Sequence, residues 1–267
     1  MKINELRTPC YVIDEGKLTE NLLILNGVMQ RTGARILLAQ KAFSAFYEYP
    51  LIGRYLSGTT ASGLFEARLA HEEMGKENHV FCPAFLPQEM DELVEICDHI
   101  VFNSVSQYLL HRERIERADK KISVGLRINP ECSTQEGHEI YDPCAPGSRL
   151  GITREALDRA IENGLDLSRI EGFHFHTLCE QDSDALETTL AAVAARRGHA
   201  QRWRIQCQRL RRAAPSPRRQ SRVPRPDGRD RCRGFRKRLC RDRMFAVFGA
   251  WLPGGWQRRC AWLSQCP

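Results

Sequence analysis

Six short apolar runs, most of them spaced roughly 20 to 25 residues apart, constrain the fold of this chain more than any other feature. They are Arg35 to Gln40 (RILLAQ), a weaker run from Tyr55 to Ala61, His79 to Pro83 (HVFCP), His99 to Asn103 (HIVFN), Lys121 to Asn129 (KISVGLRIN) and Ile170 to His176 (IEGFHFH). Segments between them, such as Leu64 to Gly75 (LFEARLAHEEMG) and Ser104 to Ala118, place apolar residues at i, i+3 and i+4, as amphipathic helices do. Strands alternating with helices pair in parallel, and a parallel sheet covered on both faces calls for near-continuous apolar strands. The alternation fits both a doubly wound sheet and a (β/α)8 barrel. The Gly-rich phosphate fingerprint of the doubly wound dinucleotide fold is absent after the first strand, which runs into Lys41. The expected fold is therefore α/β, a TIM-type barrel with its chemistry at the C-terminal strand ends. Only about six βα units precede Ala195, where a closed barrel needs eight.

Charge divides the chain at the same place. Residues 1–195 carry 19 Lys and Arg against 30 Asp and Glu, a net of −11, whereas residues 196–267 carry 20 Arg, one Lys and three Asp, a net of +18. The overall +7 averages two unlike polymers, so partners are inferred for each part separately. Of the 11 cysteines, six are irregularly spaced in the first part and read as thiols rather than a disulfide framework. Cys232 and Cys240 have neither CxxC spacing nor a nearby histidine, so no structural metal is expected. MKINELRTP lacks an apolar signal core and no run of about 18 apolar residues occurs, which points to the cytoplasm.

Three positions stand out chemically. Lys41 follows Ile36, Leu37, Leu38 and Ala39, so its amine is expected to rise from an apolar floor, with a pKa lowered by desolvation as Schiff-base chemistry requires. Position alone also fits a lysine whose head reaches solvent from a strand end. His174 and His176, two apart in GFHFHTLCEQD, share one side if both are in a strand. They read either as satisfied core histidines or as rings lying against a planar cofactor. HxH also suits a metal, but a third ligand at suitable spacing is missing. Arg127 lies within the apolar SVGLRIN, where an unpaired cation is costly, so it is expected to meet an acid or an anion inside the barrel.

Taken in order, TPCYVIDEGKLTEN, AQKAFS, ASGLFEARLA, GLRINPE, SRLGI and GFHFHTLCEQD resemble the fold-type III pyridoxal-phosphate (PLP) decarboxylases, the alanine racemase/ornithine decarboxylase kind of barrel. HTLCEQD in place of HIGSQ, together with YDPCAPGSRLG, resembles the carboxynorspermidine (carboxyspermidine) branch of that family. The resemblance spans Ile3 to about Ala192. It implies PLP as cofactor, held covalently by Lys41 and stacked on by His176, with Arg127 and Ser62 nearby. It places Glu66 and the pair Cys179 and Glu180 at the rim, positions that equally suit solvated helix and loop residues. The implied reaction is loss of the α-carboxylate of a carboxylated polyamine as CO2, with the cofactor ring taking up the carbanion charge. Intact members are expected to form homodimers. The alternatives are a diaminopimelate- or arginine-type decarboxylase, against which HTLCEQD argues, and a non-catalytic PLP-binding barrel, against which the YDPCAPGSRLG loop argues.

The family continues with a Gly-Gly-Gly phosphate cradle, a later Glu-Pro-Gly and a β-rich C-terminal domain, and none of these motifs follows Ala195 here. Gly-Gly-Gly-His-His written GGC GGC GGC CAT CAC and displaced by one base reads Arg-Arg-Arg-Pro-Ser, close in form to Arg211-Arg212-Ala213-Ala214-Pro215-Ser216. Phe248-Gly249-Ala250-Trp251 written TTC GGA GCC TGG and moved in the same sense gives Ser-Glu-Pro-Gly. A single-base shift between about Glu187 and Trp203 is therefore expected, making residues 1–195 a partial PLP-binding barrel and residues 196–267 an Arg-rich, out-of-frame and disordered tail. A basic nucleic-acid arm would mix Lys with Arg, whereas this tail carries Leu, Trp, Phe and five cysteines in no periodic order. Prolines at 215, 217, 224 and 226 would break a membrane-surface helix. Neither nucleic acid nor membrane is expected as a partner. With open strand edges and no cradle, the polypeptide as written is expected to fold poorly and to lack activity.

Overall fold

The computed structural model describes residues 5–135, 142–178, 181 and 183–195; the Arg-rich segment, Cys179 and Glu180 lie outside them. Six strands, β1 (Leu37–Ala39), β2 (Gly58–Ala61), β3 (Glu77–Cys82), β4 (His99–Phe102), β5 (Ser123–Arg127) and β6 (Ile170–His174), form one sheet. Every neighbouring pair is parallel and the spatial order follows the sequence order. A doubly wound sheet reverses direction at a switch point. This one does not, so the chain winds steadily in one direction, as a (β/α)8 barrel does.

Seven helices accompany the strands: α1 (Glu15–Thr32), α2 (Tyr49–Ile52), α3 (Leu64–Glu73), α4 (Met90–Ile96), α5 (Val105–Glu116), α6 (Arg154–Glu162) and α7 (Ser183–Ala195). Their starts are set by local chemistry. Asp14 caps α1 by accepting from the Lys17 amide at 3.1 Å, Ser104 caps α5 by accepting from Gln107 at 3.2 Å, and Thr153 caps α6 through Ala156. Gly33 ends α1 at φ 72°, the left-handed conformation that favours glycine.

Alternate strand residues face opposite ways. Val80, Ile100, Phe102, Val124 and Leu126 pack outward against Ala67, Leu93, Tyr108 and Leu157 of the helices and form the main core. Each such buried side chain contributes about 1.5–3 kcal/mol of hydrophobic stabilisation. A second cluster, Leu22, Ile36, Tyr49, Ile52 and Leu56, fixes α1 and α2 around β1. The opposite set, including His79, Phe81, His99, Val101, Gly125 and His174, lines a small cavity on the interior side. Gly58 is required where β2 approaches β3, because a Cβ there would lie 1.9 Å from the Glu77 carbonyl oxygen.

Two expectations are corrected. β6 ends at His174, so His174 and His176 are not two residues of one strand. The ladder closes where the Ile128 amide donates to the His174 carbonyl at 2.8 Å; beyond it, the Arg127 guanidinium rather than a backbone amide reaches the His176 carbonyl. Lys41 lies exposed in the turn after β1, so the desolvating floor expected around its amine is not provided by the described residues.

Candidate functional site at the C-terminal strand ends

Parallel strands bring their C-terminal ends to one side of the sheet, and that side collects the site residues. Lys41 stands two residues past β1, Ser62 follows β2, Arg127 ends β5 and His176 stands two residues past β6. The turn holding Lys41 is fixed from below. Gln40 is buried, its amide extends the β1–β2 ladder to the Thr60 carbonyl at 3.3 Å, and its side-chain oxygen accepts from the Tyr49 hydroxyl at 3.2 Å. Burial, with a smaller push from the Glu66 carboxylate, raises the Tyr49 phenol to about 12 and keeps it a donor.

Arg127 is the electrostatic centre of the site. Only 5% exposed, it donates from Nη2 to the His176 carbonyl at 3.1 Å and lies with its guanidinium carbon 4.8 Å from the Phe81 ring centroid. The acid expected beside it is not among the described residues. Desolvation lowers its pKa to about 10, still far above neutrality. Among the described residues the site thus keeps a buried positive charge without a carboxylate beside it.

Two histidines frame this charge. His174 is buried, stacks on Phe81 at 5.0 Å, and its Nε2 has no hydrogen-bond partner among the described residues. Burial first, then the charges of Arg127, His176 and His79, depress its pKa to about 3, so the ring is neutral. His176 is exposed, with its ring 6.3 Å from that of His174 and at 73° to it. Its pKa is also lowered, by desolvation on the protein side of the ring and then by repulsion from Arg127 and Lys41. His176 thus feels both Arg127 and Lys41.

The other candidates divide. The Ser62 amide donates to Glu66 Oε2 at 2.6 Å, so Glu66 reaches back over the start of α3, where Gly63 supplies no side-chain cap. Glu66 is thereby explained as a helix-start residue. Residues that the sequence did not single out tie the rim together. Asn103 accepts from the Gly151 amide and donates to the Arg149 carbonyl, fastening SRLG to the end of β4. Asn129 accepts from the Glu131 amide and donates to the Pro143 carbonyl, while Thr134 bonds to Gln181.

At the other end of the sheet, His99 and His79 direct their Nε2 atoms to Glu77 Oε1 at 2.7 and 3.4 Å. Their rings stack at 3.8 Å with 19° between planes. Nearly parallel rings cannot both aim an in-plane lone pair at an ion between them. The trio is therefore a His99–Glu77 hydrogen bond with the His79 ring stacked beside it.

A buried cation without a described carboxylate, a neutral buried imidazole and an exposed lysine and histidine on one rim suit a planar anionic ligand.

No family model matches the chain. It is 41% identical over 190 residues to the carboxynorspermidine/carboxyspermidine decarboxylase of Campylobacter jejuni, covering 71% of this chain and 47% of that protein. It is 39% identical over 192 residues to the carboxyaminopropylagmatine decarboxylase of Synechocystis, covering 72% and 48%. Among solved structures, carboxynorspermidine decarboxylase from Campylobacter jejuni in complex with norspermidine superimposes with a TM-score of 0.63 at 38% identity, over 73% of this chain and 48% of that one. An SrLDC mutant in complex with PLP shares the fold with a TM-score of 0.53 at 18% identity, over 78% and 50%. The chain spans about half the length of the curated relatives it matches.

Proposed function

From a chain that over some 190 residues shares its sequence and its fold with the carboxynorspermidine/carboxyspermidine decarboxylase family, we infer that residues 1–195 are the PLP-binding part of such a decarboxylase. The substrate class is a carboxylated polyamine, carboxynorspermidine or carboxyspermidine. The observation that carries this is the convergence of Lys41, Arg127 and His176 on one end of a parallel sheet, with Arg127 buried and lacking a described acid. PLP, when bound, supplies an electron sink for the pair left behind by departing CO2.

The chain's own residues do the rest. Lys41 offers a primary amine at the open end of β1, the group needed to hold a carbonyl cofactor and to release it to an incoming substrate amine. His176 presents an uncharged ring face, since burial and two neighbouring cations oppose its protonation. Arg127 stays charged in a desolvated setting, where an anion gains most from it. Ser62 lies beside the first turn of α3 and supplies a hydroxyl near the same rim.

The tail belongs to the same proposal. Its abrupt change from net −11 to net +18, with 20 Arg and one Lys, supports a single-base shift between about Glu187 and Trp203. The phosphate cradle and Glu-Pro-Gly then lie in another frame, and the polypeptide as written is inactive. The 39% identical relative supports one second reading, carboxyaminopropylagmatine as substrate. The test is CO2 release from the three carboxylated substrates with PLP, measured for the chain as written and for the chain with the frame restored. Release by the restored chain alone supports the reading. Release from none of them, with PLP bound, would leave a non-catalytic PLP-binding barrel.

A further inference from the structure

We propose that Phe81 is the positioning residue for Arg127, and through it for His176, in the site described above. The identity of the ligand rests on the decarboxylase reading; the placement of the three residues does not.

Phe81 is the penultimate residue of β3 and faces the interior, in register with Val101 on β4. Its ring meets two groups. The Arg127 guanidinium lies 4.8 Å from its centroid, and the His174 ring stacks 5.0 Å away at 20°. Arg127 and His174 are themselves register partners across β5 and β6, so one aromatic ring spans to two adjacent strand ends.

The choice of a ring has a chemical consequence. A carboxylate at this place would neutralise Arg127 and consume its donors. An aliphatic side chain would leave the guanidinium with no attractive surface beneath it. A phenyl face attracts the cation through its quadrupole and takes none of its N–H groups. Nη2 is then available to the His176 carbonyl at 3.1 Å, where the backbone ladder has run out, and this contact fixes the segment that carries the His176 ring. His174, the other group on Phe81, adds a second ring rather than a second charge. Phe81 thus holds the cation in place while leaving its charge available to a ligand. Phe81 itself touches no reacting atom.

The experiment uses the full chain at low concentration and needs no turnover. Diethyl pyrocarbonate labels histidine only as the neutral imidazole, so peptide mass spectrometry across pH gives a titration for each histidine. His71, exposed on α3, serves as the internal control, and protection of buried His174 reports an intact interior. In Phe81→Leu the guanidinium is released, and His176 titrates closer to the ordinary histidine value of about 6.5. Phe81→Tyr keeps the unsubstituted behaviour. If Phe81→Leu exposes His174, Phe81→Met, apolar and of similar length, is read in its place. PLP affinity, followed by absorbance, falls about tenfold in Phe81→Leu and less than twofold in Phe81→Tyr, as expected for loss of one desolvated cation–π contact. An unchanged His176 titration with His174 still protected overturns the proposal. If the unsubstituted chain binds no PLP, the cofactor reading fails, while the His176 titration still decides the role of Phe81.

Discussion

Arg127 rests on the face of Phe81, with 4.8 Å between guanidinium carbon and ring centroid, where a buried arginine would ordinarily meet a carboxylate. A cation held by a ring stays a cation toward anything that enters the site. Burial lowers its pKa only to about 10, so the charge persists through the whole neutral range.

Replacing Arg127 with methionine separates its two effects. The charge is costly inside the fold, and exchange for an apolar side chain of similar length is expected to leave thermal stability unchanged or raise it by about 1 kcal/mol. PLP affinity should fall at least tenfold. Urea midpoints and absorbance titration measure the two effects independently, and a large loss of stability would mean that Arg127 has a structural anion partner.

Stability should fall on acidification. His174 has a folded pKa of about 3 and His79 is also lowered, so both bind protons more readily in the unfolded chain. Native stability is complete above the ordinary histidine pKa of about 6.5. For His174 it is lost progressively as pH drops towards 3, by up to about 1.4 kcal/mol per pH unit, and His79 adds in the same direction. His174→Phe, which keeps a ring against Phe81 and removes the titrating group, should flatten that slope in urea midpoints between pH 7 and 5. An unaltered slope would assign the effect elsewhere.

Gly58→Ala is expected to disrupt the sheet. The added methyl would lie 1.9 Å from the Glu77 carbonyl oxygen, which is backbone and cannot swing aside. Overpacking of this kind costs about 1–3 kcal/mol and occasionally more, a large share of the stability an ordinary domain has. A denaturant midpoint near that of the unsubstituted chain would show that β2 and β3 can separate there.

Much of this was legible in the sequence. All six strands were anticipated, because a buried parallel strand leaves a continuous apolar run that needs no knowledge of its neighbours. The helices α3 and α5 followed from the apolar period of their segments. What was missed depends on contacts between strands. VFC in β3 gives no hint that Phe81 meets Arg127 from β5 and His174 from β6, since only sheet register brings them together. The end of β6 at His174 was misjudged because an arginine side chain, not the hydrophobic pattern, takes over from the ladder. The apolar residues before Lys41 left two readings open, a desolvated amine and one reaching solvent, and the turn after Ala39 leaves it exposed.

The tail admits a direct check. Resequencing the source DNA across codons 185 to 215 should reveal one base gained or lost, with Gly-Gly-Gly and later Glu-Pro-Gly in the restored frame. An unchanged reading without those motifs in another frame would make residues 196–267 a genuine basic segment. Salt-sensitive DNA retention lost on removing it would then be expected.

The central claim, that this sheet end is a PLP site built on Lys41, is tested most directly by borohydride reduction of the full chain mixed with PLP, followed by peptide mass spectrometry. The account predicts a single pyridoxyl phosphate adduct concentrated on Lys41, lost in Lys41→Arg and weakened in Arg127→Met. Label spread evenly over surface lysines such as Lys17 and Lys120, with no preference for Lys41, would contradict it.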